Sequence, residues 1–170
     1  MRVLGTHRSS YEASGSGLAR RDLIGAGLLL PGLLLAGCAA KPVITTVALT
    51  LVAEADANPD ARGRASPLTV RVYVLKSPGL FEGADFFSLF EKDQATLGAE
   101  MLQREEMLLR PGESRKLPLT LSADAKALGF MAAYRDLDRA RWRAVRAVET
   151  GKSVPLTATF GARQIRLEAK

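Results

Sequence analysis

The sequence predicts a mainly β protein, a two-sheet antiparallel β-sandwich with one helical insertion. Three observations carry that prediction. Leu68, Val70, Val72 and Val74 alternate with Thr69, Arg71 and Tyr73, the period of a strand with one buried face. Similar short runs recur down the chain, separated by turn signals at Asn58-Pro59-Asp60, Ser77-Pro78-Gly79, Pro111-Gly112, Asp136-Leu137-Asp138, Gly151 and Gly161. Short strands with turns at such spacing indicate a sandwich. One stretch, Leu80 to Met101, instead repeats its apolar residues at intervals of three and four, the period of a helix.

Taken in order, Val47, Leu49 and Leu51 alternate with Ala48, Thr50 and Val52, a first strand with apolar residues on both faces. The Leu68–Val74 segment is the second strand, and its valines are expected to line one face of a central strand. Ala84-Asp85 opens the helix, and Phe86, Phe87, Phe90, Ala95 and Leu97 form a stripe expected to pack on the core. The insertion spans about 80–101. Glu106 to Arg110 adds a strand before Pro111-Gly112 turns the chain. Leu117, Leu119 and Leu121 alternate again, and Pro118, which lacks an N–H, puts that strand at an edge. Phe130 to Tyr134, Trp142 to Val148, Val154 to Phe160 and Gln164 to Leu167 complete the set. Trp142, the only tryptophan, is expected to pack into the core.

The first forty residues read as an address. Leu23 to Ala40 carries no charge, Arg20 and Arg21 stand before it, and Leu35-Ala36-Gly37-Cys38 closes it. A basic flank, a leucine-rich run and small residues before a cut site are the layout of a signal peptide. Leu-Ala-Gly-Cys resembles a lipobox, in which the thiol is acylated and cleavage makes Cys38 the new N-terminus. The run barely reaches the length of a membrane span, and Pro31-Gly32 weakens it as one. A core helix would need a polar face that it lacks. The boundaries that follow are a cleaved signal at 1–37, a lipidated tether at 38–42 and a sandwich domain at 43–170. Either translation starts later, or Arg20-Arg21 belongs to a twin-arginine export signal. Ala39 and Ala40 follow the cysteine, and no aspartate adjoins it. By resemblance to enterobacterial sorting, that implies the outer membrane, with the domain facing the periplasm.

Composition excludes much chemistry. The chain has one histidine, His7, and one cysteine, Cys38. From Cys38 onward there is no histidine and no second thiol, which removes Ser-His-Asp and Cys-His machinery, His-ligated metals and intramolecular disulfides. Glu105 and Glu106 are adjacent on a strand and point to opposite faces, so they cannot act as a paired acid and base. Asp136 and Asp138 flank a turn and lack the further oxygen ligands of a calcium loop. No catalytic or metal site is expected, and no cofactor beyond acyl chains on Cys38. The formal net charge falls from +6 to +4 when 1–37 is removed. The densest basic stretch, Arg135 to Arg146, is interrupted by Asp136 and Asp138 and carries one aromatic, whereas nucleic-acid binding calls for a basic face with stacking aromatics. No nucleic acid is expected as a partner.

Several blocks resemble one family. They are the lipobox; Asn58-Pro59-Asp60 with Gly63-Arg64, then Ser66-Pro67 leading into Val70-Arg71-Val72-Tyr73; Ala84-Asp85-Phe86-Phe87-Ser88-Leu89-Phe90; Arg104-Glu105-Glu106 with Leu109-Arg110-Pro111-Gly112-Glu113; and Ala132-Ala133-Tyr134-Arg135-Asp136-Leu137 with Trp142-Arg143. In this order, from Cys38 to about Val148, they resemble the TssJ (SciN-type) lipoproteins of the bacterial type VI secretion system. The resemblance implies a non-enzymatic sandwich, anchored in the inner leaflet of the outer membrane, that binds the periplasmic C-terminal region of the inner-membrane protein TssM. It also implies that the loop joining the first two strands makes that contact. Here the loop falls between Ala53 and Ser66, with Pro59, Asp60, Arg62, Gly63 and Arg64 at its tip. Mixed charges on an exposed connection suit a polar, steered contact; the same residues would also make a plain solvated turn. The alternative class is a periplasmic carrier holding a lipid or peptide between its sheets, which would need an apolar cavity large enough for the cargo.

Overall fold

Burial in the first strand follows the period of two. In β1 (Thr45–Ala53) the odd-numbered residues are buried and the even-numbered ones face outward, as the pleat dictates. The computed structural model describes residues 44–169; Cys38, the expected signal at 1–37 and the tether at 38–42 lie outside the described residues. β1 shares a sheet with β4 (Ser114–Leu121), β7 (Val154–Phe160) and β8 (Ile165–Ala169), in the order β4-β1-β7-β8. The second sheet holds β2 (Leu68–Leu75), β3 (Met101–Leu109), β5 (Ala127–Ala132) and β6 (Arg143–Ala147), in the order β3-β2-β5-β6. The two-sheet sandwich with a helical insertion is therefore the observed fold.

One pair departs from the expected antiparallel pattern: β1 and β7 run parallel, from Val47↔Val154 to Ala53↔Phe160. Alternation within a strand reports which face is buried and carries nothing about the direction of its neighbour. The edge position of the Pro118 strand holds, since β4 ends its sheet. β3 begins at Met101, earlier than the sequence indicates, and β5 begins at Ala127. All six residues of β5 are buried, so it shows no alternation for a sequence reading to find.

The reason β5 is covered twice is the insertion. Leu49, Leu51, Val70, Val72, Phe130 and Phe160 belong to the core between the sheets, each at most 1% exposed. Tyr73, Leu75, Phe81, Leu89, Leu97 and Met131 form a second apolar layer, between the outer face of the β2–β5 sheet and two helices. These are α1 (Gly79–Gly83) and α2 (Phe86–Leu97), followed by a 3₁₀ turn into β3. Asp85 caps α2, its Oδ1 accepting from the Ser88 amide at 3.0 Å, which satisfies one of the free N–H groups of the first turn. At Gly129 in β5 the layers are in close contact. A Cβ placed there would lie 3.0 Å from the Phe81 ring and 3.1 Å from Leu75.

The expected aromatic stripe is corrected. α2 buries Leu89, Asp93 and Leu97, one residue per turn, whereas Phe87 is 60% exposed and Phe90 36%. Phe86 is half-buried, stacked on Phe90 at 5.4 Å and edge-on to Trp142 at 5.3 Å. Trp142, expected in the core, is half-buried on the rim of both layers. The buried face of α2 is hidden from a reading of apolar periodicity because its central residue is an aspartate. Asp93 accepts from Arg104 at 2.7 Å and from the Tyr73 hydroxyl at 3.3 Å, and Arg71 stands 3.5 Å away. α2 also kinks at Lys92 (φ −138°, ψ 35°). Arg71 caps carbonyls beside the break, donating to Leu89 O at 3.1 Å and Phe90 O at 2.7 Å, and the Thr96 hydroxyl serves the Ser88 carbonyl at 3.0 Å. Side chains thus replace the interrupted helical ladder.

Candidate functional site

The loop that the sequence singles out leaves β1 at Ala53 and is tied down before it reaches its tip. The Glu54 amide donates to Phe160 O at 2.9 Å, and the Ser66 amide donates to Ala57 O at 3.1 Å, closing the base. Between them sits Asn58, 2% exposed and left-handed (φ 52°). Asparagine tolerates that conformation better than most residues. Its Nδ2 donates to Pro67 O and its Oδ1 accepts from the Arg135 amide, both at 2.8 Å. One buried side chain thus fastens the loop to β2 and to the connection after β5.

The tip, residues 59–64, is a small hydrogen-bonded knot. The Asp60 amide donates to Arg64 O at 2.8 Å and the Gly63 amide to Asp60 O at 2.9 Å. Asp60 Oδ1 accepts from the amides of Arg62 and Arg64 at 2.8 and 2.9 Å. Its Oδ2 takes the Arg64 guanidinium at 2.8 Å. The Arg64 amide and guanidinium hold the Asp60 carboxyl below the usual carboxylate range, with the Arg62 amide assisting. Gly63 has φ +76°, and a Cβ at this position would meet nothing within 4 Å; its backbone angle, not the available space, requires glycine.

Asp60 and Arg64 pair with each other and brace the turn, with the Arg64 side chain still largely exposed. Arg62 is exposed and, among the described residues, forms no ion pair. Pro59 is half-buried and Ala61, Gly63 and Ala65 are exposed. In the sequence Asn58 reads only as a turn signal; its left-handed angle and double anchorage have no local signature there.

Two further segments meet the loop. The Tyr134 hydroxyl, on the connection 133–142, donates to Gln164 O at 2.9 Å in the β7–β8 turn; burial pushes its ionisation well above the usual tyrosine range. The Arg141 amide donates to Arg163 O at 2.8 Å. Asp136 lies between two guanidiniums, Arg139 at 2.9 Å and Arg163 at 2.8 Å. The Arg139 hydrogen bond, then that of Arg163, holds its carboxyl below the ordinary value. Glu54 pairs with Arg166.

The carrier reading meets an obstacle in the core. The apolar opening between the sheets, beside Val47, Leu128 and Leu156, holds about 80 Å³, against roughly 300–1,000 Å³ for small-molecule sites. Side chains fill the space where cargo would lie.

Residues 45–169 match the family described as T6SS-SciN: Type VI secretion lipoprotein, VasD, EvfM, TssJ, VC_A0113. The fold is similar to the T6SS lipoprotein TssJ1 from Pseudomonas aeruginosa, with 42% identity over 76% of this chain and 98% of that one (TM-score 0.71). It is also similar to Serratia marcescens Lip, a membrane-bound component of the type VI secretion system (26% identity, 72% and 96% covered, TM-score 0.68). A chain in the structure described as the T6SS protein TssM C-terminal domain (869-1107) from EAEC matches as well (25% identity, 72% and 97% covered, TM-score 0.62). The comparison with curated proteins gave no match. Family match, identity and shared two-sheet architecture agree: this chain belongs to the TssJ (SciN-type) family of type VI secretion lipoproteins.

Proposed function

We propose that this lipoprotein is held in the outer membrane by acyl chains on Cys38, faces the periplasm, and anchors the type VI secretion membrane complex by binding the periplasmic C-terminal region of TssM through its 53–66 loop. Its role is structural and not catalytic. The observation that carries the reading is the loop itself: a rigid, self-bonded tip at the far end of β1 from the expected tether. A contact built on a pre-ordered loop loses little conformational entropy on binding. The family membership and the matching chain in a TssM structure support the choice of partner.

The experiment is a calorimetric titration of the mature chain with the TssM periplasmic domain. Replacing 59–64 by Gly-Ser is expected to weaken binding at least about tenfold, since it removes the brace and the side chains together. Equal affinity for that variant and the wild type would move the contact elsewhere. Reversing Asp60 alone is a poor probe because it breaks the turn; Arg62→Glu tests charge without touching the brace. For the anchor, Cys38→Ser is expected to abolish palmitate labelling and release the protein from membranes, because stable attachment takes two or more chains. Continued labelling of Cys38→Ser would refute the assignment.

A further inference from the structure

The loop does not stand alone at its end of the domain. Three segments converge there: the 53–66 loop, the 133–142 connection and the β7–β8 turn with the start of β8, 161–166. Together they carry seven arginines, five carboxylates and no lysine. Two open clefts run between them, of about 500 and 470 Å³, and share Arg139 and Arg163 as a common wall. Three of the five carboxylates are paired inside the protein, while Asp56 and Asp138, among the described residues, form no ion pair. Asp60 is taken by Arg64, Glu54 by Arg166, and Asp136 by Arg139 and Arg163 together. Arg62, Arg135 and Arg141 are exposed and, among the described residues, form no ion pair. The backbones beneath them are fixed, Arg135 by the Asn58 side chain at 2.8 Å and Arg141 by Arg163 O at 2.8 Å.

We propose that these two arginine-walled clefts are a second half of the partner contact and receive an acidic segment of the TssM periplasmic domain, with Arg141 as the free guanidinium of one, Arg135 as that of the other, and Arg62 on the neighbouring loop. This rests on the proposed TssM reading and names the chemistry of what docks next to the loop. Guanidinium is planar and presents paired N–H donors that match a carboxylate, which a lysine ammonium does not. Carboxylates of the protein itself line the same clefts, which suits a peptide of mixed sequence better than a polyphosphate. Anionic lipid is disfavoured by position. The nine residues of β1 set the clefts about 30 Å from Thr45, the end of the domain that leads toward the proposed anchor.

The test titrates the full mature chain, in detergent, with the TssM periplasmic domain at low and high salt. Arg135→Glu with Arg141→Glu is expected to lower affinity at least about tenfold at low salt and to flatten the salt dependence, as the loss of exposed charge pairs does. Arg135→Lys with Arg141→Lys is expected to keep the salt dependence and lose part of the affinity. An unchanged circular dichroism spectrum and thermal midpoint exclude unfolding as the cause. If the Gly-Ser loop variant loses binding while the Glu variant binds like the wild type, the cleft proposal falls and the loop reading stands. If the wild type does not bind at all, both fall. If the Glu variant keeps its TssM affinity but loses binding to phosphatidylglycerol vesicles, the cleft serves a membrane and the proposal is overturned.

Discussion

Replacing Phe81 with alanine is expected to lower the unfolding free energy by about 4 kcal/mol, within the range for deleting a buried phenylalanine. Phe81 is fully buried in the layer between the helices and the β2–β5 sheet. Its ring lies 5.3 Å from that of Tyr73, tilted by 52°, and covers the bare backbone of Gly129. Gly129 offers no side chain to close the gap, and α1 is only five residues long. Urea titration reads the loss directly. Phe87→Ala, at a position 60% exposed, is the matched control and is expected to stay within about 0.5 kcal/mol. Equal losses at the two positions would mean that the helical layer packs with the other face inward.

Asp93→Ala is expected to cost about 3 kcal/mol, the lower end of the range for removing one partner of a buried ion pair. The lower end applies because Arg71 keeps Glu106 and two helix carbonyls when Asp93 is gone. What loses its main partner is the Tyr73 hydroxyl, buried deeply enough to be pushed up to about 12 and left with only the weakly accepting Met131 sulfur at 3.9 Å, along with part of the Arg104 charge. The pH dependence follows from the sign of the Asp93 shift. Burial works to raise its pKa, but the Arg104 hydrogen bond, the Gln94 amide and the attraction of Arg104 and Arg71 prevail and hold it below 3.8. The folded state therefore binds its proton less readily than the unfolded state. The stabilisation is complete above the unfolded value and is lost as pH falls through the folded one. Wild-type stability is expected to fall below about pH 4 more steeply than that of Asp93→Asn. Parallel acid melts of the two proteins would refute the assignment.

The sheets are legible in the sequence where side-chain character alternates. β1 does so with one face wet and β2 does so in its residue types although helices cover part of its outer face, and Pro118 places β4 at an edge by its missing N–H. Legibility fails where burial is two-sided or polar. β5 alternates nothing because helices cover its outer face. The buried stripe of α2 is misread because Asp93 and Arg71 form a charge-neutral plug that a count of apolar residues passes over. The direction of β7 beside β1 is a tertiary property with no local signature. At the candidate site, the sequence places the loop and its tip. It does not show that Asp60 and Arg64 satisfy each other, since a list of charges does not say which ones meet. Nor does it bring Arg135, Arg141 and Arg163 to the loop, a juxtaposition that depends on which connections share one end of the sandwich.

With the proposed anchor ahead of Thr45 and the proposed contact at the 53–66 loop, tension between the two membranes would enter the domain at one end of β1 and leave at the other. The force then runs through the covalent backbone of nine residues. A strand already rises about 3.3 Å per residue, against a limit of about 3.6 Å, so it has almost no slack to give. The hydrogen bonds to β4 and β7 flank this line on both sides and do not lie across it. Pulling cannot peel them one at a time, as it would in a hairpin held by its two ends. On that reading β1 takes the load along its own backbone, held at both edges by β4 and β7 and on one face by the core.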